Sequence, residues 1–201
     1  MKNSIVIPVF VILNCSLNMG IFQNTINLIS GKQINAKVIE IKDSYIYYQI
    51  KKNDKIKDKF IEKEDIFSIS NINNTDTILY QQDSTKGFTL NIQQMSNYVY
   101  GEQTSWKIHK TSKFIIIGGG VCGASVGIIG IYGLLISTSY SSMVSLINPK
   151  VQYINNKISS ENINSYNNGY ISIAKFKNTR NTIISGLSGI AATIILLSLV
   201  K

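Results

Sequence analysis

Phe114-Ile-Ile-Ile-Gly-Gly-Gly-Val-Cys-Gly-Ala-Ser-Val-Gly-Ile-Ile-Gly-Ile-Tyr-Gly-Leu-Leu-Ile136 decides how this chain is read. The segment holds no charged residue, and as a helix it is long enough to cross the roughly 30 Å of bilayer hydrocarbon. Gly119, Gly123 and Gly127 recur every four residues, so they share one helix face and leave it bare of side chains. A second helix can approach such a face closely, which is how helices associate in lipid. Gly118, Gly120, Gly130 and Gly133 broaden the groove. The uncharged stretch continues to Asn148. One straight helix of that length would reach about 50 Å, more than the hydrocarbon is thick. Either one helix ends near Ser137, or two helices form a hairpin that turns near Gly130-Ile-Tyr-Gly133.

A second apolar span covers Thr182–Val200 and closes on Lys201. Ser185, Gly189 and Thr193 repeat the small-residue spacing of the first span. The two faces are expected to pack on each other, within one chain or between chains. Between the spans, Val151–Asn168 reads as an Asn/Ser-rich loop. Ser165–Arg180 reads as an amphipathic helix with Lys175, Lys177 and Arg180 at the membrane edge.

Composition agrees with this division. Charged residues make up 15% of the 201-residue chain, against about 25% in a soluble domain. They crowd into Lys32–Asp83 and are absent from Phe114–Asn148. The net charge of +9 does not point to nucleic acid. The basic residues are almost all lysine, and Arg180 is the only arginine, although arginine is the side chain suited to bidentate phosphate and base contacts. Two cysteines, Cys15 and Cys122, and one histidine, His109, fall short of a structural metal site or a disulfide framework. Gly118-Gly119-Gly120 superficially matches a dinucleotide turn, but the next acid after Glu102 is Glu161, too far for the ribose contact that turn requires. No catalytic residue, cofactor or metal is expected. His109 lacks a partner group in the sequence, and Ser185 lacks a base.

Upstream, Met1–Gly20 reads as an export signal: Lys2, then the apolar core Ile5–Leu13, then a polar end. Cleavage near Gly20 and lipidation at Cys15 are both open. Residues 24–88 read as a small β module, with strands at Ile34–Ile41, Tyr45–Ile50, Ile56–Ile61, Ile66–Ile72 and Thr77–Tyr80. Val38-Ile39 breaks the strict alternation of the first. Five short strands with tight turns suggest a small barrel of SH3 or Sm type, or else a curled open sheet. Residues 89–113 read as a juxtamembrane amphipathic helix capped by Asn91, with Gly101 as a weak point in its interior. Trp106, Lys107, Lys110 and Lys113 stand at the mouth of the first span as an interfacial anchor. The expected fold class is α+β: the β module, then a glycine-packed transmembrane unit of two spans, or three if residues 114–147 form a hairpin and 181–201 the last helix.

The chain resembles an uncharacterised family of bacterial envelope proteins. The residues that carry the likeness are Tyr100-Gly101-Glu102-Gln103, the glycines of Gly118–Gly127, Asn148-Pro149-Lys150, Gly169-Tyr170 with Ala174-Lys175, and Ser185-Gly186. Ser185 stands where a second glycine would be usual. The resemblance implies an architecture and no activity. The reading that follows is a non-enzymatic membrane protein with an exported β module, in the inner membrane or alternatively the outer. Its partners would be the lipid bilayer and either an envelope protein or further copies of itself. The alternative reading is a glycine-zipper oligomer that forms a pore or perturbs membranes. The lysines before the first span favour a cytoplasmic flank, which conflicts with an exported module.

Overall fold

The structure, a computed structural model, describes residues 24–53, 55–72, 75–154 and 162–199. The leader, Cys15 and Lys201 lie outside them. Six strands come first: β1 (Asn24–Leu28), β2 (Gln33–Ile41), β3 (Tyr45–Lys52), β4 (Lys55–Glu62), β5 (Ile66–Asn71) and β6 (Asp76–Ile78). Four helices follow: α1 (Ile92–Ile108), α2 (Lys113–Ile129), α3 (Ile131–Leu146) and α4 (Ile163–Leu199).

The strands form one antiparallel sheet in the order β4-β3-β2-β1-β5-β6. Its central strand, β1, is absent from the strands expected above, because three of its five residues are Asn24, Thr25 and Asn27. Asn27 is nonetheless buried. Its amide donates to the hydroxyls of Ser68 and Ser70 at 3.1 and 2.9 Å, and its carbonyl oxygen accepts from Gln33 at 2.9 Å. A satisfied polar group can take a core position that a hydrophobic pattern would not reveal. The irregularity at Val38-Ile39 is a β-bulge: Val38 pairs Tyr48 and Glu40 pairs Tyr47, so Ile39 is the extra residue.

The sheet is open, with β4 and β6 as its two edges, so the closed SH3/Sm-like barrel is corrected to an open sheet. Ile26, Ala36, Ile46, Tyr48, Ile66 and Ile69 form the core on one face. On edge strand β4 the positions facing that side, opposite Tyr48, Ile50 and Lys52, are Lys59, Lys57 and Lys55. All three lysines are exposed. Closing the barrel would bury three ammonium groups, and inward-facing charge on an edge strand prevents just that. On the far side of β5, Phe67 and Tyr80 pack with Met95 and Val99 of α1.

Helix α1 starts with a capping box. The Asn91 side chain accepts from Gln94 N at 2.8 Å, and the Gln94 side chain accepts from Asn91 N at 3.1 Å. The chain then bends by 73° into α2. The single-helix alternative for residues 114–147 gives way to a hairpin that turns at Gly130, whose φ of +59° suits a residue without Cβ. Helix α4 is unbroken over 37 residues, about 55 Å of axial rise. It starts two residues before the expected helix Ser165–Arg180, within the stretch Val151–Asn168 also read as loop, runs on through the expected last span, and is long and apolar enough to cross a bilayer.

Candidate functional site: the helix junction along α4

Helix α4 serves both other arms. Its first half packs on α1 and its second half on α2, and along both contacts the paired chains advance in the same direction. Glycine permits the approach in each case. A Cβ added at Gly123 would sit 2.0 Å from the Gly186 carbonyl oxygen, and one at Gly189 would sit 2.1 Å from that of Gly120. Gly119 meets Thr182, and Gly127 meets the Thr193 side chain. The structure thus brings Gly119, Gly123, Gly127, Ser185, Gly189 and Thr193 into one interface inside a single chain. Ser185 uses its hydroxyl there, donating to the Ile116 carbonyl, while Thr193 Oγ1 donates to Ala124 O at 3.3 Å.

The α1–α4 contact has its own glycines, which the sequence reading did not pair. A Cβ at Gly101 would lie 2.2 Å from Tyr166 O, and one at Gly169 would lie 2.1 Å from Tyr98 O. Gly101 is therefore the seat of the close approach, not merely a weak point in a helix. Tyr166, Tyr170 and Ala174 are fully buried against this face. The Tyr100 ring packs on Tyr166 with centroids 5.7 Å apart.

A polar collar surrounds the break between α1 and α2. Carbonyls in the last turn of a helix have no intrahelical donor. Lys177 of α4 supplies one: its ammonium donates to Trp106 O at 3.2 Å and to His109 O, and also meets Ser105 O at 3.2 Å, which already accepts from His109 N at 3.0 Å. A cation there also complements the negative end of the helix dipole. Asn181 Nδ2 donates to Thr111 Oγ1 at 2.8 Å. The His109 ring meets Asn178 Oδ1 at 3.0 Å through Nε2 and lies edge-on to Tyr170, whose hydroxyl is 3.5 Å from Nδ1. His109 is thus a joint between helices.

Glu102 is the one carboxylate buried among the described residues. It is 4% exposed, and its Oε2 has no hydrogen-bond partner among the described residues. The β1–β2 turn closes over it: Gly31, at φ +68°, sits so near that a Cβ would lie 2.3 Å from Glu102 Cβ. Loss of solvent pushes its carboxyl up to about 7, and the hydroxyl of Tyr98 offsets this only in part. Two residues before this acid and one after it, Tyr100 and Gln103 also touch other elements; Gln103 donates to Asn27 Oδ1 at 3.3 Å. The Tyr-Gly-Glu-Gln run is thus a junction of sheet, α1 and α4.

The four anchor residues part company. Trp106 packs edge-on against Phe176, with centroids 5.9 Å apart, and Lys32 and Lys177 stand 6.0 and 5.9 Å from its ring. Lys107 lines a groove beside it. Lys110 and Lys113 are exposed on either side of the bend. Among the described residues, no three His, Cys, Asp or Glu side chains converge to hold a metal.

Comparison of the chain with protein-family models, with curated proteins and with solved structures finds no match.

Proposed function

We propose that the chain is a non-enzymatic integral membrane protein of the bacterial envelope, in which the helices hold a small β interaction module at the bilayer surface. One observation carries this reading. The second half of α4 buries small residues (Thr182, Gly186 and Thr193) and turns Ile183, Ile184, Leu187, Ile194, Ile195 and Leu196 outward. Helices α2 and α3 likewise expose Phe114, Ile117, Val121, Ile128, Ile131 and Leu135. A small-residue interior under an aliphatic exterior suits hydrocarbon and is costly in water. The inner membrane with an exported module is the favoured placement, and the outer membrane is the alternative. The module's partner would be another envelope protein.

The test is alkaline carbonate extraction of cells carrying a C-terminal tag, followed by density-gradient separation. Retention in the membrane pellet is the expected result, and release into the wash would sink the reading. A reporter fused to the β module then tests export; reporter activity in the cytoplasm would reverse the topology. The glycine-zipper oligomer draws on residues already engaged within the chain, since Gly123 faces Gly186 and Gly120 faces Gly189. No separate observation favours it.

A further inference from the structure

A groove of ≈ 850 Å³ runs between the β1–β2 turn and the second half of α1. Lys32 and Lys107 both line it, together with Trp106, Leu28 and Ile34, and the Lys32 ammonium stands 6.0 Å from the Trp106 ring. No carboxylate among the described residues lines it. The Glu102 carboxyl is near in sequence but sealed behind Gly31. The groove therefore carries two positive charges from two different elements, and both lysines are exposed and neither forms an ion pair among the described residues. The indole N–H of Trp106 is buried with no acceptor among the described residues. A buried donor left unpaired is unfavourable, and a small opening of the groove would let it meet an oxygen of a bound group.

The setting narrows what that group is. Lys107 is six residues before Lys113, where the apolar helices begin. The groove's lining is amphiphilic, with two ammonium groups, an indole and aliphatic side chains. We propose that it binds the phosphate headgroup of an anionic phospholipid, with Lys32 and Lys107 flanking the phosphate and Trp106 facing the glycerol region. The inference rests on the membrane reading above. It adds that the β module itself, through Lys32, helps to select the lipid. Indole at headgroup depth and lysines reaching toward phosphate are the usual chemistry of a bilayer interface.

Trp106 is the only tryptophan, so its fluorescence reports on the groove directly. The full chain is placed in phosphatidylcholine nanodiscs. Equal small fractions of phosphatidylglycerol or phosphatidylcholine, each spin-labelled near the headgroup, are then compared as quenchers. The expected result is stronger quenching by the phosphatidylglycerol probe. Each of Lys32→Gln and Lys107→Gln should weaken that preference about fivefold, whereas Lys37→Gln, on the exposed side of β2, should leave it unchanged. Equal quenching by the two lipids, or a preference that survives the Lys32→Gln/Lys107→Gln double variant, would overturn the proposal while leaving the membrane reading intact. Loss of the preference on adding millimolar inorganic phosphate would also overturn it, reassigning the site to free phosphate. A chain that fails to enter nanodiscs would overturn both.

Discussion

The two halves of α4 are built as opposites. The first half buries its largest side chains, Tyr166 and Tyr170, and exposes Asn164, Asn168, Ser172 and Arg180. The second half buries Thr182, Gly186 and Thr193 and exposes leucine and isoleucine. Both halves reach backbone-to-backbone contact through glycine, so close approach alone does not distinguish them. They differ in what surrounds the approach. Against α1 the gap is filled by aromatic rings, as suits water outside. Against α2 small residues fill it and the large ones are left to the surroundings. On the membrane reading proposed above, the change of solvent would fall along this one continuous helix, near Asn181 and Thr182.

That contrast can be broken or sharpened by experiment. Tyr170→Ala should have the largest effect, about 4 kcal/mol, because a fully buried ring leaves a cavity; chemical denaturation of the full chain in detergent measures it. Ionising Glu102 comes next. Its carboxyl titrates near 7 in the folded chain, above its ordinary value of 4.5. The stability from burying it in neutral form is complete below about pH 4.5, declines as pH rises to about 7, and is then gone, on the order of 3 kcal/mol in all. Glu102→Gln should flatten that profile, and an unchanged slope would mean the turn over Glu102 opens freely. Gly123→Ala should cost about 2 kcal/mol by overpacking. Gly101→Ala should cost a similar amount, while Gly87→Ala, with open space around it but a φ of +85°, should cost about 1.

Lys177→Met should cost about 1 kcal/mol by removing the cation from the last carbonyls of α1. Leu187→Ala should be the smallest, under about 0.5 kcal/mol in a bilayer mimic, since Leu187 is 62% exposed and touches solvent or lipid in both states. A large loss for Leu187→Ala would mean that its face is covered by protein, which would restore the oligomer reading.

Much of this interface was legible beforehand, because four-residue spacing of small side chains has one geometric meaning in a helix. Gly119, Gly123, Gly127, Ser185, Gly189 and Thr193 could be written down from spacing alone. Gly101 and Gly169 could not, since each is a lone glycine among polar and aromatic residues, and its meaning depends on a partner distant in sequence. The short Tyr-Gly-Glu-Gln run was the available signal, but nothing in it says that the acid is buried. Where the loop Val151–Asn168 gives way to the helix expected from Ser165 is blurred in the sequence, because asparagine, serine and glycine are poor helix formers, and the structure starts the helix at Ile163. Tyr166 overrides that preference by packing at 0% exposure and donating to Gln152 O at 2.7 Å. β1 was hidden for the related reason that polar Asn24, Thr25 and Asn27 surround its fully buried Ile26. The openness of the sheet follows from Lys55, Lys57 and Lys59, whose shared face becomes visible only once the β3–β4 register is known.

The unbroken length of α4 also sets an order of assembly. Every strand pairs with partners encoded within Asn24–Ile78, so the sheet can close its ladders as soon as those residues emerge. Helices α1 and α2 have no such independence. Their glycine faces are bare until a helix made later in the chain arrives to fill them. Until then α1 and α2 present exposed backbone and unpaired carbonyls, the state in which chaperones and proteases find their substrates. A nascent chain halted before Ile163 should therefore show a protected sheet and cleavable helices, with protection of both helices appearing together once α4 is synthesised.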